Sequence, residues 1–320
     1  MTKIDFRAMA VRFRPYRICG LLLLASALTA EPAAALRIVS IAPSVTETLF
    51  AIDAGDEVVG ISAQCDYPPE VAGVDRVGTF LKPNMEAILA KRPDIVIAAP
   101  SPTNAPFLDK LQRLGIEVLL VESNSVRETV TNIVRIADAV GREAAGHALA
   151  RRIERDIATT RRRLAGATPR RVLLVLGQKP FVAAGAGGLQ DELIRIAGGV
   201  NVAASGVGRW PRLSLEHVIA QRPEVIVDMT IPHETAPSTT AIGMWSAFPI
   251  VPAVRLGRVY GHPPPLLVRP GPRVAKAIDL LARYVHPERF ETAVSNARRF
   301  ETRHHLEPVI DELGSRPGKT

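Results

Sequence analysis

The sequence predicts an α/β protein with two lobes of similar design, each built on a parallel, helix-flanked sheet, and one long helix joining them. Three observations carry this. First, a 15-residue stretch occurs twice: Asn84-Met-Glu-Ala-Ile-Leu-Ala-Lys-Arg-Pro-Asp-Ile-Val-Ile-Ala98 and Ser214-Leu-Glu-His-Val-Ile-Ala-Gln-Arg-Pro-Glu-Val-Ile-Val-Asp228. In register, Glu86 falls on Glu216, Arg92 on Arg222 and Pro93 on Pro223. Second, short β-branched runs alternate with helical periodicity on both sides of the chain's midpoint, the pattern of parallel sheets with helical crossovers. Third, residues 142–164 keep helical spacing without a breaker, with Leu149, Ile153, Ile157 and Leu164 on one face.

In chain order, the first 35 residues stand apart. Lys3, Arg7, Arg12, Arg14 and Arg17 lead into the apolar run Ile18–Ala30, followed by Ala33-Ala34-Ala35. A basic segment, an apolar segment and an A-x-A site make the pattern of a cleaved secretory signal peptide. The 13-residue run falls short of the roughly 20 needed to span a bilayer. Cys19 lies at the very start of the run rather than at the cleavage site, which does not fit a lipoprotein signal, and Cys65 alone remains after cleavage, so no intramolecular disulfide is expected. Residues 1–35 carry five basic and two acidic residues, so the formal charge of +8 falls to +5 over the remainder. The remaining basic residues are scattered along helices, which does not read as a nucleic-acid surface.

Residues 37–41 predict a strand, and Ser44 with Glu47 three residues on predicts a capping box opening a helix to about Ile52. A strand at 57–61 is followed by the loop Cys65-Asp66-Tyr67-Pro68-Pro69, where paired prolines forbid regular structure. Both repeat copies share one grammar: a polar N-cap (Asn84, Ser214), a short amphipathic helix, an Arg-Pro stop and a buried strand. Between the copies lie helix 105–114, strand 116–121, helix 126–140, the joining helix, strand 171–177, the loop Gly185-Ala-Gly-Gly188 and helix 189–196. After the second copy come a polar loop at 231–238, a short helix near Trp245, a strand near Val259, a loop at His262-Pro-Pro-Pro265, helix 274–284 and a helical, partly disordered tail at 291–320. The boundaries read as a signal peptide (1–35), an N-terminal lobe (36–141), an interlobe helix (142–166), a C-terminal lobe (167–290) and the tail.

The ordered series Ser40-Ile-Ala-Pro-Ser-Val-Thr-Glu47, Cys65-Asp-Tyr-Pro-Pro-Glu70, Asn84–Ile97 and Ser214-Leu-Glu216 resembles periplasmic substrate-binding proteins of ABC importers for vitamin B12 and ferric siderophores, over about residues 36–290. The resemblance implies two Rossmann-like lobes with central parallel-type sheets, joined by one long rigid helix, with ligand in the interlobe cleft. It implies a periplasmic protein whose partners are a cobalamin-like or iron-chelate ligand and inner-membrane permease subunits, with no cofactor and no catalysis. By position it offers Tyr67, Phe80, Trp210 and Arg269 as ligand-binding residues, the aromatic rings giving contact area to a flat macrocycle at little entropic cost. Arg269 would meet amide or carboxylate oxygens of the ligand. It offers Glu86 and Glu216, one per lobe, as docking points for permease arginines; position N2 of a helix also suits a carboxylate, through the helix dipole.

Other classes fare worse. His147, His217, His233, His262, His286, His304 and His305 are spread through the chain, so no metal site is expected, although His233 or His262 could reach the metal of a bound ligand. There is no G-x-S-x-G, H-E-x-x-H or Walker A motif, and the Gly185 loop lacks the dinucleotide fingerprint. The nature of the ligand, whether cobalamin, another corrinoid, a ferric siderophore or haem, stays open at this level.

Overall fold

The computed structural model describes residues 35–230, 244–261 and 264–290. The signal-peptide, polar-loop and tail readings, with His233, His262, His304 and His305, fall outside them. From Leu36 onward the described residues cluster as one compact unit.

The first sheet is wholly parallel. It holds β1 (Ile38–Ser40), β2 (Val58–Ile61), β3 (Ile95–Ala98) and β4 (Glu117–Leu120) in the order β2-β1-β3-β4. Around it lie α1 (Pro43–Ala51), α2 (Met85–Ala90), α3 (Ala105–Arg113) and α4 (Val126–Ala139). The two central strands, β1 and β3, are buried at every residue, which is why they read as continuous apolar runs.

The second sheet is mixed. It is built on β5 (Arg170–Gln178), β6 (Phe181–Ala183), β7 (Gly199–Asn201), β8 (Val225–Asp228) and β9 (Val259–Gly261). Parallel neighbours β8 and β9 continue from one edge of β5; along its other edge β7 pairs parallel near the start and β6 antiparallel near the end. Its helices are α6 (Leu189–Ile196), α7 (Leu215–Gln221), α8 (Pro252–Arg255), α9 (Pro264–Val268) and α10 (Val274–Val285).

The long helix α5 (Glu143–Arg163) joins the halves as expected, with Leu149, Ile153, Ile157 and Leu164 all buried. It is not solvent-bridging: it packs against α4 of the first half and α10 of the second. One continuous apolar core therefore runs from Ile38 and Ile95 through Ile133, Ile153 and Ile157 to Leu193 and Ile278. Close-packed interiors resist deformation, so the halves share a core rather than a hinge.

The repeated unit is built alike in both lobes. Asn84 Oδ1 accepts from the Ala87 amide (3.0 Å) and Ser214 Oγ from the His217 amide (3.1 Å), so both N-caps form as the sequence predicts. The chain leaves each helix through its arginine in the left-handed region, Arg222 at φ 50° as the cap of α7 and Arg92 at φ 44° one residue past the cap of α2. That conformation costs a non-glycine residue roughly 1–2 kcal/mol, and an arginine at or just before the start of a central strand bonds the carbonyls there. Arg37 Nε donates to the Lys91 and Arg92 carbonyls (2.8 and 3.2 Å), and Arg171 Nε donates to the Arg222 carbonyl (2.9 Å). The backbone amides of the same two arginines donate to Asp94 and Glu224, the acids that follow each Arg-Pro pair.

Two expectations change. The N-cap of α1 is Ala42 with Pro43 following, and no side chain caps it, so Ser44 and Glu47 form no capping box. Glu47 is drawn into the interior by cations from the other lobe. Pro264 and Pro265 open helix α9 rather than continuing a loop, because proline suits the first helical turn, where its missing N–H is not needed. Cys65 is buried, its sulfur within hydrogen-bond distance of the Thr46 and Ser62 hydroxyls.

Candidate functional site

The loop after β2 is the hub of the junction between lobes. Its root is fixed to α1: the Ser40 and Thr46 hydroxyls bond at 2.7 Å, Thr46 donates to Cys65 Sγ (3.0 Å), and Arg76 Nη1 donates to the Cys65 carbonyl (2.7 Å). With Cys65 anchored below, Asp66 and Tyr67 emerge at the surface.

There they meet the segment 269–273, which leads from α9 into α10 and lies on α1. A Cβ on Gly271 would stand 3.4 Å from Ser44, in ordinary van der Waals contact, so the segment lies close against the start of α1. Arg273 donates from Nε and Nη2 to both oxygens of Glu47 (2.8 and 2.6 Å). Arg269 Nη1 donates to Glu47 Oε1 (3.2 Å) and to Asp66 Oδ1, while its Nη2 donates to Asp66 Oδ2 (3.0 Å) and the Gln64 carbonyl (3.2 Å). The Glu47 side chain is 1% exposed. A carboxylate so buried requires paired cations, and these come from residues more than 200 positions away.

Charge pairing pushes the groups in opposite directions. Hydrogen bonding to Arg269 lowers the Asp66 carboxyl below its usual value, against a smaller desolvation effect. For Arg269, burial works to lower the pKa, but the bonds and charges of Asp66 and Glu47 outweigh it and raise it. Because the Asp66 pKa falls on folding, its stabilising contribution is complete above the unfolded value near 3.8 and is lost as pH drops through the lower folded value.

The four residues that the resemblance offers to a ligand are placed as follows. Tyr67 is 38% exposed, with the Arg273 guanidinium 4.0 Å above its ring. Arg269 belongs to the same cluster. Phe80 is tied to the same loop, its amide donating to Gln64 Oε1 (2.9 Å) and its carbonyl accepting from Asn104 Nδ2 (3.2 Å), while its ring packs half-buried on the first-lobe core. Trp210 is 52% exposed, on a loop pinned to the second sheet by bonds from the Gly185 amide to the Arg209 carbonyl and from the Ala183 amide to the Pro211 carbonyl. Gly185 is required there, since a Cβ would lie 2.4 Å from the Gly208 carbonyl oxygen. The structure thus joins Tyr67, Phe80 and Arg269 through Gln64 and Asp66. Among the described contacts none links Trp210 to them, but its neighbour Arg209 bonds Asn124 of the first lobe.

A cavity of about 520 Å³ opens beside this cluster, lined by Tyr67, Glu47, Arg273, Phe50, Arg152 and Lys276 among others. Phe80, Trp210 and Arg269 do not line it. The described residues contain no group of three or more His, Cys, Asp and Glu able to hold a metal ion. No helix among them is long and apolar enough to cross a membrane.

Glu86 and Glu216 are exposed at the second position of α2 and α7, and neither makes a salt bridge among the described residues. The Glu216 carboxyl is held below its usual range by its own backbone amide and then by the Ser214 hydroxyl.

Reading by sequence missed Glu47, Asp66 and Arg273 as partners. Glu47 does leave a signal, a carboxylate amid Val45, Thr46, Thr48 and Leu49 on a helix with no polar face.

Comparison with known proteins places this geometry in context. The profile of a family described as periplasmic binding protein matches residues 38–266. The vitamin B12-binding protein of Vibrio cholerae serotype O1 is 30% identical over 268 residues, covering 83% of this chain and 95% of that protein. The crystal structure of the periplasmic vitamin B12-binding protein of Vibrio cholerae superposes with a TM-score of 0.70 at 28% identity, covering 80% of this chain and 98% of the other. The periplasmic heme-binding protein of Roseiflexus sp. RS-1, in apo form, gives 0.69 at 27% identity, with 80% and 99% covered.

Proposed function

The chain belongs to the periplasmic binding protein family, and from that premise we propose that it is the substrate-binding component of an ABC importer, taking a cobalamin-like corrinoid between its lobes. The observation that carries this reading is the identity of 30% across 95% of a vitamin B12-binding relative, which spans both lobes and α5. The protein captures the ligand, docks on a permease in the inner membrane and releases it, with no chemistry on the ligand. Residues 1–35 direct export and are removed. Lobes 36–141 and 167–290, with the interlobe helix 142–166, form the receptor.

In this reading Tyr67, Phe80 and Trp210 contact the macrocycle, Arg269 stands at its periphery, and Glu86 and Glu216 meet the permease. A second reading, haem or another iron chelate as ligand, is supported by the heme-binding relative, which fits nearly as well as the B12-binding one. Both ligands are flat macrocycles that suit aromatic contact.

Calorimetric and absorbance titration of the purified protein with cyanocobalamin, haem and ferric siderophores separates them. Saturable 1:1 binding of cyanocobalamin at about micromolar Kd or tighter is expected. Tight binding of haem alone would replace the first reading by the second.

A further inference from the structure

We infer that Asp66 is a specificity-determining residue: by occupying the Arg269 guanidinium, it makes the site select ligands with neutral carboxamide peripheries over ligands bearing carboxylates. This rests on the reading above of the Tyr67 loop and Arg269 as the ligand's surroundings.

A guanidinium has five N–H donors. Four of those on Arg269 are engaged, Nη1 by Glu47 and Asp66 and Nη2 by Asp66 and the Gln64 carbonyl. The charges also balance. Arg269 and Arg273 face Glu47 and Asp66, two against two. Glu47 is buried and already grips Arg273 through both oxygens, so it is the acid on which the junction's integrity depends. Asp66 differs, since its side chain is 59% exposed and Arg269 is its one salt-bridge partner among the described residues, with its own backbone amide and the charge of Arg273 adding lesser support. Remove its charge and one arginine is left in surplus, which is the vacancy an anionic ligand needs.

With Asp66 in place, an incoming carboxylate must displace another carboxylate from Arg269 and leave it unpaired beside the new one. No favourable exchange results, because like charges at this range repel. A carboxamide meets the opposite situation. Its N–H groups can donate to the outward lone pairs of the exposed Asp66 oxygens, and its carbonyl needs only the Arg269 Nε–H, which has no partner among the described residues. Asp66 acts through Arg269 on the anion and directly on the amide.

The test compares the wild type with Asp66→Asn and Asp66→Glu. Calorimetry measures Kd for cyanocobalamin and for its monocarboxylic acids, in which one peripheral propionamide is hydrolysed, and in a parallel arm for haem and its dimethyl ester. In the wild type the neutral form of each pair is expected to bind more tightly. Asp66→Asn should shift the ratio toward the acid by about tenfold, the size of one charged hydrogen bond, and Asp66→Glu should restore it. An unchanged ratio in Asp66→Asn, an equal loss for both members of a pair, or a wild-type preference for the acid overturns the inference. If neither corrinoid binds but the haem pair shows the shift, the corrinoid reading falls while the discrimination by Asp66 against carboxylates stands. A readout that needs no ligand closes the remaining gap: the Asp66 carboxyl, followed by NMR, should titrate upward in Arg269→Gln, and no movement overturns the inference even if no probe binds.

Discussion

The loop entering α2 and the loop entering α7 precede the same helix-turn-strand unit, yet present their aromatic residues differently. Phe80 is half-buried, with its amide and carbonyl both held by side chains of the first lobe. Trp210 is 52% exposed on a loop fixed through its backbone. Beneath the loops the units agree closely, down to the left-handed arginine and the distant arginine that bonds its carbonyl. The contrast separates two demands. Backbone groups at the end of each helix must be satisfied, and the same solution serves twice. The rim is free of that demand, so residues there differ between the copies.

The largest expected effect probes what the units share at their exposed corners. Charge reversal at Glu86 and Glu216 together should abolish uptake in cells while leaving ligand affinity unchanged, and a loss of affinity would refute the docking role. Next is the junction that holds the lobes. Glu47→Ala leaves two arginines without their buried partner and should lower stability by about 3 kcal/mol, read from denaturant midpoints. The rim residues come third: Phe80→Ala should cost about 2 kcal/mol of stability, whereas Trp210→Ala should leave stability within about 0.5 kcal/mol and weaken ligand binding roughly tenfold or more. Matching effects of the two variants would erase the contrast drawn between the loops. Smallest are Arg37→Ala and Arg171→Ala, each expected to cost about 1 kcal/mol; a clear inequality would show that the two copies are not equivalent.

Most of the fold was legible because its signals are local. N-caps, Arg-Pro stops, β-branched runs and the apolar stripe of α5 each report on a few neighbouring residues. β6 and β7 escaped although β1 and β9 are equally short, because Pro180 stands directly before the one and Gly199 opens the other, and both residues read as breakers. The site was legible only in part. Glu47 looked like a capping residue because its true partners lie beyond position 268, and no local pattern links them. The left-handed arginines were hidden for a similar reason, since the groups that bond their carbonyls are arginines about 50 residues away in the chain.

The separations along the chain also order assembly. The Arg37–Arg92 bond closes 55 residues and the Arg171–Arg222 bond 51, whereas the Arg273–Glu47 bond closes 226. Closing the longer loop costs about 1.2 kcal/mol more by chain statistics alone. Each lobe thus has the means to form from its own stretch of chain, with the junction completed afterwards. In stopped-flow experiments Glu47→Ala should therefore speed unfolding and leave the refolding rate nearly unchanged, while Arg37→Ala and Arg171→Ala slow refolding.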